Sequence, residues 1–208
     1  MSGIITQNVL GNSGLIKAPE AAGGTWVEIK SITASSDDTL SFVNGTNDVV
    51  LDGTYPIYVF KFIGIHPETN SESFQFNGSI DTGSNYNVTK QTTFFRLYHK
   101  ENDSGAAIGY RTGADLAQDT GFQTLMSGVG SDADQCGSGF LYLYNPASTV
   151  FVKHFQVRAT HSEAGDSAYE QYMAGYFNTT SAVDAIQFKF GSDAIDEGKI
   201  KLFGLKDS

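Results

Sequence analysis

Residues 55–66 read YPIYVFKFIGIH, a run that alternates with a period of two. One face of the extended chain carries four aliphatic residues and Lys61, and the other face carries Tyr58, Phe60 and Phe62. Period-two alternation is the pattern of a β-strand. A strand that is apolar on both faces fits the middle of a sandwich or an interface. We therefore take this run as a central strand and work outward from it.

The same alternation recurs on both sides of this strand, in short runs separated by turns rich in Gly, Asn, Asp and Ser. The runs before residue 100 are WVEIK, TLSFV, SFQFNGSI and VTKQTTFFRLYH, and those after residue 138 are GFLYLYNP, VFVKHFQVRATH, YEQYMAGYFN, AIQFKF and KIKLFGL. No long amphipathic helix is evident. We predict an all-β fold, an antiparallel β-sandwich of jelly-roll type with about ten strands, whose order does not follow from the pattern.

Two segments lack this alternation. Residues 100–138 are rich in turn residues and predict a long functional or interfacial loop, with at most one or two helical turns near Leu116. Residues 1–24 predict an extended N-terminal arm that is ordered only when docked. The arm has scattered apolar anchors for assembly: Ile4, Ile5, Val9, Leu10, Leu15 and Ile16. The predicted organisation is this arm followed by a single β-sandwich domain, residues 25–208.

The charge balance excludes several kinds of partner. The chain has 13 Lys and Arg against 23 Asp and Glu, a formal net charge of −10, so phosphate backbones should repel it. No apolar run approaches the roughly 18 to 20 residues that span a bilayer, and membrane insertion is not expected. The start, MSGIITQNVLGNSG, lacks the pattern of a secretory signal, so we expect synthesis in a cytoplasm.

The motifs of common enzyme and metal sites are missing from the sequence. There is no phosphate-binding GxxxxGK or GxGxxG loop and no GxSxG turn. Cys136 is the single cysteine, and none of the four histidines has a second ligand at metal-site spacing. We therefore predict no cofactor, no metal and no catalytic residue.

Two carboxylate patterns provide alternatives to that prediction. Calcium prefers oxygen ligands, which the loop with Asp81, Gly83, Asn85 and Asn87 offers, as does the pair Asp132 and Asp134. Turn formation by Asn and Asp side chains explains both patterns better. A glycanase would need two carboxylates across one cleft, roughly 5 to 9.5 Å apart. The strand-borne candidates, Glu28 and Glu170, are more simply explained as solvated residues on a sheet face.

Aromatic residues make up 12% of the chain, which leaves some available for a binding face. The runs LYLYN and YEQYMAGYF place Tyr142, Tyr144, Tyr172 and Tyr176 in strands. Such rings could stack on sugars or anchor a protein partner. Ordinary packing is the alternative explanation for each of them.

As a whole, the chain resembles virion structural proteins of tailed bacteriophages, especially small acidic jelly-roll proteins of marine and cyanobacterial phages. The resemblance rests on the start, MSGIITQNVLGNSGLIKAP, on the aromatic β-rich middle and on the ending AIQFKFGSDAIDEGKIKLFGL. It extends over the whole chain. It transfers no active-site residues, because the family has no catalytic motif to match.

The resemblance implies a non-enzymatic subunit that acts through multivalent assembly, as a capsid decoration or cement protein or as an accessory head or tail subunit. Its partners would be further copies of itself, in a homotrimer, and other virion proteins. Its location would be the virion, after assembly in the host cytoplasm. The main alternative is a carbohydrate-binding or host receptor-binding module that uses the tyrosines to hold a host-surface glycan.

Overall fold

The structure, a computed structural model, describes residues 26–206. Within this range every regular element is a β-strand, and all strand pairs are antiparallel. The strands are β1 (Trp26–Asp37), β2 (Leu40–Val43), β3 (Ile57–Pro67), β4 (Glu72–Ser79), β5 (Lys90–Lys100), β6 (Ala106–Tyr110), β7 (Ala117–Asp119), β8 (Gln123–Val129), β9 (Gly137–Tyr144), β10 (Lys153–Glu163), β11 (Ser167–Phe177), β12 (Ala185–Phe190) and β13 (Ile195–Leu205). The all-β prediction is confirmed.

Eight of the strands pair in jelly-roll order. One set of neighbours is β1-β13-β3-β9 and the other is β2-β12-β4-β8. When these eight strands are numbered one to eight along the chain, the two sets become 1-8-3-6 and 2-7-4-5, the order of two interleaved Greek keys. The jelly-roll prediction is therefore confirmed. The two sheets meet at one corner, where Glu163 of β10 pairs with Val129 of β8.

The remaining five strands widen the first sheet. Beyond β9 its order continues as β10, β11 and β5, and both β6 and β7 pair with β5. The long-loop prediction for residues 100–138 was wrong, since β6, β7 and β8 lie there. The pattern missed β6 because both of its faces are exposed, so its five residues show no alternation of apolar and polar side chains. This segment accounts for the excess of strands over the predicted ten.

An aromatic core fills the space between the sheets. Strand β3 lies between β13 and β9, as predicted for a central strand, and its Tyr58, Phe60 and Phe62 are fully or almost fully buried. Phe188 of β12 packs against five phenylalanines at ring-centroid distances of 5.2 to 6.3 Å. Each buried phenylalanine contributes about 1.5 to 3 kcal/mol relative to its exposed state. This contact between β12 and β3 holds the sheets together.

The predicted N-terminal arm, residues 1–24, and its apolar anchors lie outside the described residues. Nothing in residues 26–206 forms a helix of the length and hydropathy that crossing a membrane requires.

Candidate functional site

Several exposed or half-buried aromatic side chains lie on the outer face of the widened sheet. Strand β10 alternates strictly, with Phe155, Val157 and Ala159 buried and with Gln156 and Arg158 exposed. Because the residues of β9, β11 and β5 are in register with β10, their outward side chains line up beside its own. We call the outward side of these four strands the aromatic face.

Cross-strand partners on this face form three rows that run across the strands. The first row is Phe140, Arg158, Tyr172 and Phe95. The middle row is Tyr142, Gln156, Ala174 and Thr93. The third row is His154, Tyr176 and Gln91, and Tyr144 lies beside it on β9, two residues after Tyr142. The middle row has small side chains on β11 and β5, whereas the rows beside it carry rings, so a depression follows the middle row.

This depression consists of two adjoining cavities of about 300 and 360 Å³. The first is bordered by Phe95, Phe140 and Tyr172, and the second by Tyr144 and Tyr176. Both share Thr93, Gln156 and Ala174, so they form one continuous groove. We call it the aromatic groove.

Neighbouring side chains hold the rings of the groove in place. Phe95 and Tyr172 stack with centroids 4.9 Å apart and planes 5° from parallel. The guanidinium of Arg158 lies over the Tyr172 ring at 5.4 Å and pairs with Glu170. A site with fixed rings loses little conformational entropy when it binds a ligand.

The groove also offers hydrogen-bonding groups beside its rings. The Tyr144 hydroxyl donates to Gln156 Oε1 at 3.1 Å, and burial raises the pKa of Tyr144. The exposed side chain of Thr93 and the Arg158 guanidinium add further polar groups along the same line. Rings together with donors and acceptors are the features that bind a polar ligand with apolar faces.

All four tyrosines proposed from the sequence lie on the aromatic face. Tyr142 and Tyr144 are on β9, Tyr172 and Tyr176 are on β11, and β10 lies between them. Each ring is half-buried. The pattern missed Phe95, Phe140 and Arg158. Their alternation places them on one face of their own strands, but nothing in it indicates that β9, β10, β11 and β5 lie side by side.

A second surface lies at the free end of the same sheet. Strand β6, with the sequence AAIGY, pairs only with β5, so within the described chain its other edge has no backbone partner. All five residues are exposed and uncharged, and Ile108 is 68% and Tyr110 53% exposed. We call this strand the β6 edge. Soluble proteins usually protect such an edge with charges, proline or a covering segment.

The structure does not bring Glu28 and Glu170 together. Glu28 is on β1 and Glu170 on β11, with four strands between them, which corresponds to about 24 Å at the usual strand spacing. Glu28 Oε2 accepts a hydrogen bond from Lys201 Nζ at 2.9 Å, and Glu170 pairs with Arg158. A single glycosidic bond cannot reach both carboxylates.

The loop with Asp81, proposed as a calcium site, is instead held together by its own hydrogen bonds. Asp81 Oδ1 accepts hydrogen bonds from the Asn85 backbone and the Ser79 hydroxyl, and its Oδ2 accepts one from Asn85 Nδ2. These bonds lower the pKa of Asp81 to about 2 and stabilise the turn. Asp132 and Asp134 are exposed in the loop before β9. Across residues 26–206, no three His, Cys, Asp or Glu side chains are grouped so that they could hold a metal ion.

The cysteine and the histidines lie apart from the groove, except His154. Cys136 is free and exposed. His161 lies inside the sandwich, where its Nε2 is 2.9 Å from the carbonyl oxygen of Ser127. His66 and His99 each contact one aspartate near the surface.

Comparison with known proteins provides no identification: no protein-family model matches the chain, and no curated protein sequence is significantly similar to it.

Proposed function

We propose that the protein is a non-enzymatic structural subunit of a phage virion that acts through multivalent assembly, as a capsid decoration or cement protein or as an accessory head or tail subunit. The jelly-roll order and the resemblance of both chain ends to such proteins support the assignment. The observation that carries it is the β6 edge, an unprotected and apolar strand at the end of a long sheet.

An exposed edge strand binds another chain by adding it to the sheet, with backbone hydrogen bonds for affinity and side-chain contacts for specificity. The β6 edge has free backbone groups on one side and Ile108 and Tyr110 on its faces. In the proposed homotrimer each copy uses this edge against a different patch of the next copy, which closes a ring. Strand β1, at the opposite end of the sheet, is the counterpart we favour because, among residues 26–206, it too pairs on one side only.

The assembly proposal is tested by the mass of the purified full-length chain in solution, measured by light scattering. We expect a trimer or larger ring for the natural sequence and a folded monomer for Ile108→Lys, which places a charge on the edge. Thr180→Lys, an exposed change in the loop after β11, is the matched control and should keep the oligomer. A natural chain that is monomeric at every concentration contradicts the proposal.

The predicted N-terminal arm, residues 1–24, is tested with a shortened chain. A copy that begins at residue 25 tests whether the arm contributes to contacts with neighbouring subunits or with other virion proteins. We expect the shortened chain to fold but to lose incorporation into its particle. Incorporation at the level of the full chain argues against a role for the arm.

A second candidate function, glycan or host-receptor binding, is favoured by one specific observation, the aromatic groove. Rings with adjacent hydrogen-bonding groups suit a sugar, whose apolar face stacks on an aromatic ring while its hydroxyls form hydrogen bonds. A glycan array probed with the natural chain should give binders that are lost in Tyr172→Ala. Tyr86→Ala, which changes a half-buried tyrosine that does not line the groove, should keep them. An array without binders removes this candidate and leaves the assembly proposal intact.

A further inference from the structure

Two side chains with complementary chemistry meet inside the sandwich, away from both surfaces. Asn77 lies near the end of β4 in one sheet, and Lys90 begins β5 in the widened part of the other. Both side chains have no solvent exposure. Among residues 26–206, no acidic side chain lies at ion-pair distance from Lys90, which is unusual for a fully buried lysine because removing an ammonium from water is costly.

The contacts of Lys90 direct its amine at the carboxamide of Asn77. Lys90 Nζ donates to Asn77 Oδ1 at 2.6 Å and to the carbonyl oxygen of Val88 at 2.8 Å. The Phe177 ring lies 5.7 Å away on another side. Burial lowers the pKa of Lys90 to about 7, against the opposing effect of the Asp119 charge. A sizeable fraction of this amine is therefore neutral and nucleophilic near neutral pH.

The carboxamide of Asn77 is held in one orientation. Its Oδ1 accepts a second hydrogen bond from the backbone N–H of Gly78 at 2.8 Å. Its Nδ2 donates to the carbonyl oxygens of Tyr86 at 2.6 Å and Thr120 at 2.9 Å. The Gly78 N–H polarises the carbonyl and would stabilise negative charge that develops on Oδ1, as in an oxyanion hole.

We propose that Lys90 and Asn77 form an intramolecular isopeptide bond. The lone pair of Nζ attacks Cγ of Asn77, and the electrons of the carbonyl bond move to Oδ1, beside the Gly78 N–H. A proton passes from Nζ to Nδ2, the Cγ–Nδ2 bond breaks and ammonia leaves. The product is an amide between Nζ and Cγ. No oxidant, reductant or external proton is needed, since the neutral amine transfers one proton to Nδ2, which leaves as ammonia.

The bond would connect the jelly roll to its extension. Asn77 belongs to the sheet β2-β12-β4-β8, and Lys90 belongs to the strand that carries β6 and β7. The covalent link would therefore anchor the part of the molecule that holds the β6 edge. This inference does not depend on the proposed function, because it concerns the interior alone.

Mass spectrometry of a tryptic digest of the full chain tests the proposal. Both residues lie in the peptide 62–90, which is bounded by Lys61 and Lys90. An acylated Lys90 resists trypsin, so we expect the peptide 62–96 with a mass about 17 Da below that of its sequence, the mass of one ammonia. Fragment ions from within residues 77–90 should be missing, because those residues form a closed ring.

Two results overturn the proposal. The first is peptide 62–90 at its full mass, which means that no bond has formed. The second is peptide 62–90 with the ammonia loss but with Lys90 cleaved normally, which indicates a succinimide at the Asn77-Gly78 sequence instead. Lys90→Arg is the matched variant, since it keeps a cation but should show no ammonia loss. The natural chain decides the question even if this variant fails to fold.

Discussion

The buried histidine His161 shows how the surroundings of a single residue change its pKa. His161 of β10 is packed edge-on against Tyr169, and its Nδ1 has no hydrogen-bond partner among residues 26–206. Burial lowers the pKa of His161 to about 4, with a smaller contribution from the charge of Arg96 and an opposing one from the Ser127 carbonyl. On β10, His161 belongs to the same face as the buried Phe155, Val157 and Ala159.

His161 should make stability depend on pH. Its folded pKa of about 4 lies below the ordinary value of 6.5, so between these values the unfolded chain binds the extra proton and stability falls as pH falls. At pH 5 the loss from this residue should reach about 2 kcal/mol relative to pH 7.5. Urea unfolding at both pH values measures it. His161→Gln should lose that part of the pH dependence, whereas His154→Gln, on the exposed face, should keep it.

Glycine permits a close approach at one point between β9 and β10. A Cβ at Gly139 would lie 2.5 Å from the Arg158 carbonyl oxygen and 2.7 Å from the Ala159 Cα. Gly139→Ala should therefore lower the free energy of unfolding by about 1 to 3 kcal/mol. At Gly53, in the exposed loop between β2 and β3, no neighbouring atom of residues 26–206 lies within 4 Å of an added Cβ. Gly53→Ala should change stability by less than about 0.5 kcal/mol in the same urea experiment, and equal losses for both variants would contradict this explanation.

At the scale of strands, pairing decides which residues act together. Tyr142, Gln156 and Ala174 come from three strands and line the groove only because β9, β10 and β11 are in register. If the pairing register of β10 shifted by one residue, the side chains of Gln156 and Arg158 would point into the core. The buried Phe155 and Val157 prevent that slip, so the core specifies the groove on the opposite face of the same strand.

Amide hydrogen exchange should separate the strands by their pairing. The residues of β12 have partners on both sides and are largely buried, whereas β6 pairs on one side and is exposed. We expect β12 to exchange slowest and β6 fastest in dilute protein. If the β6 edge is the assembly contact, exchange in residues 106–110 should slow as protein concentration rises. Slowing confined to other strands would move the contact elsewhere.

At the scale of the whole molecule, net charge opposes assembly while the apolar edge favours it. Each copy carries a formal charge of −10, and ion pairs on the described surface are few. Repulsion between like-charged copies is screened by salt, whereas burial of Ile108 and Tyr110 is not weakened by it.

Salt should therefore strengthen self-association. Sedimentation velocity in about 50 mM and about 500 mM NaCl should show a lower dissociation constant at the higher concentration. Ile108→Lys should stay monomeric in both. Weaker association at high salt would mean that ion pairs, and not the apolar edge, hold the copies together.

The alternation of residues along the chain was enough to predict an all-β fold and the central position of β3, and to place Tyr142, Tyr144, Tyr172 and Tyr176 in strands. These features are local, because successive side chains of any strand point to opposite sides. The pattern failed at β6 and β7, which are short and exposed, so their composition shows no sign of burial. It also failed at β8, where the neighbours Leu125 and Met126 are both buried and strict alternation is absent.

Only the tertiary structure decided which strands are neighbours, and with that the aromatic groove, the free β6 edge and the meeting of Lys90 with Asn77. Every residue except proline offers the same backbone donor and acceptor, so a strand pattern does not specify its partner. The partner is chosen by packing between segments far apart in the chain, such as Phe188 against Phe60 and Phe74. The sequence by itself thus determined the kind of fold, and packing across the sheets determined the sites that the fold presents.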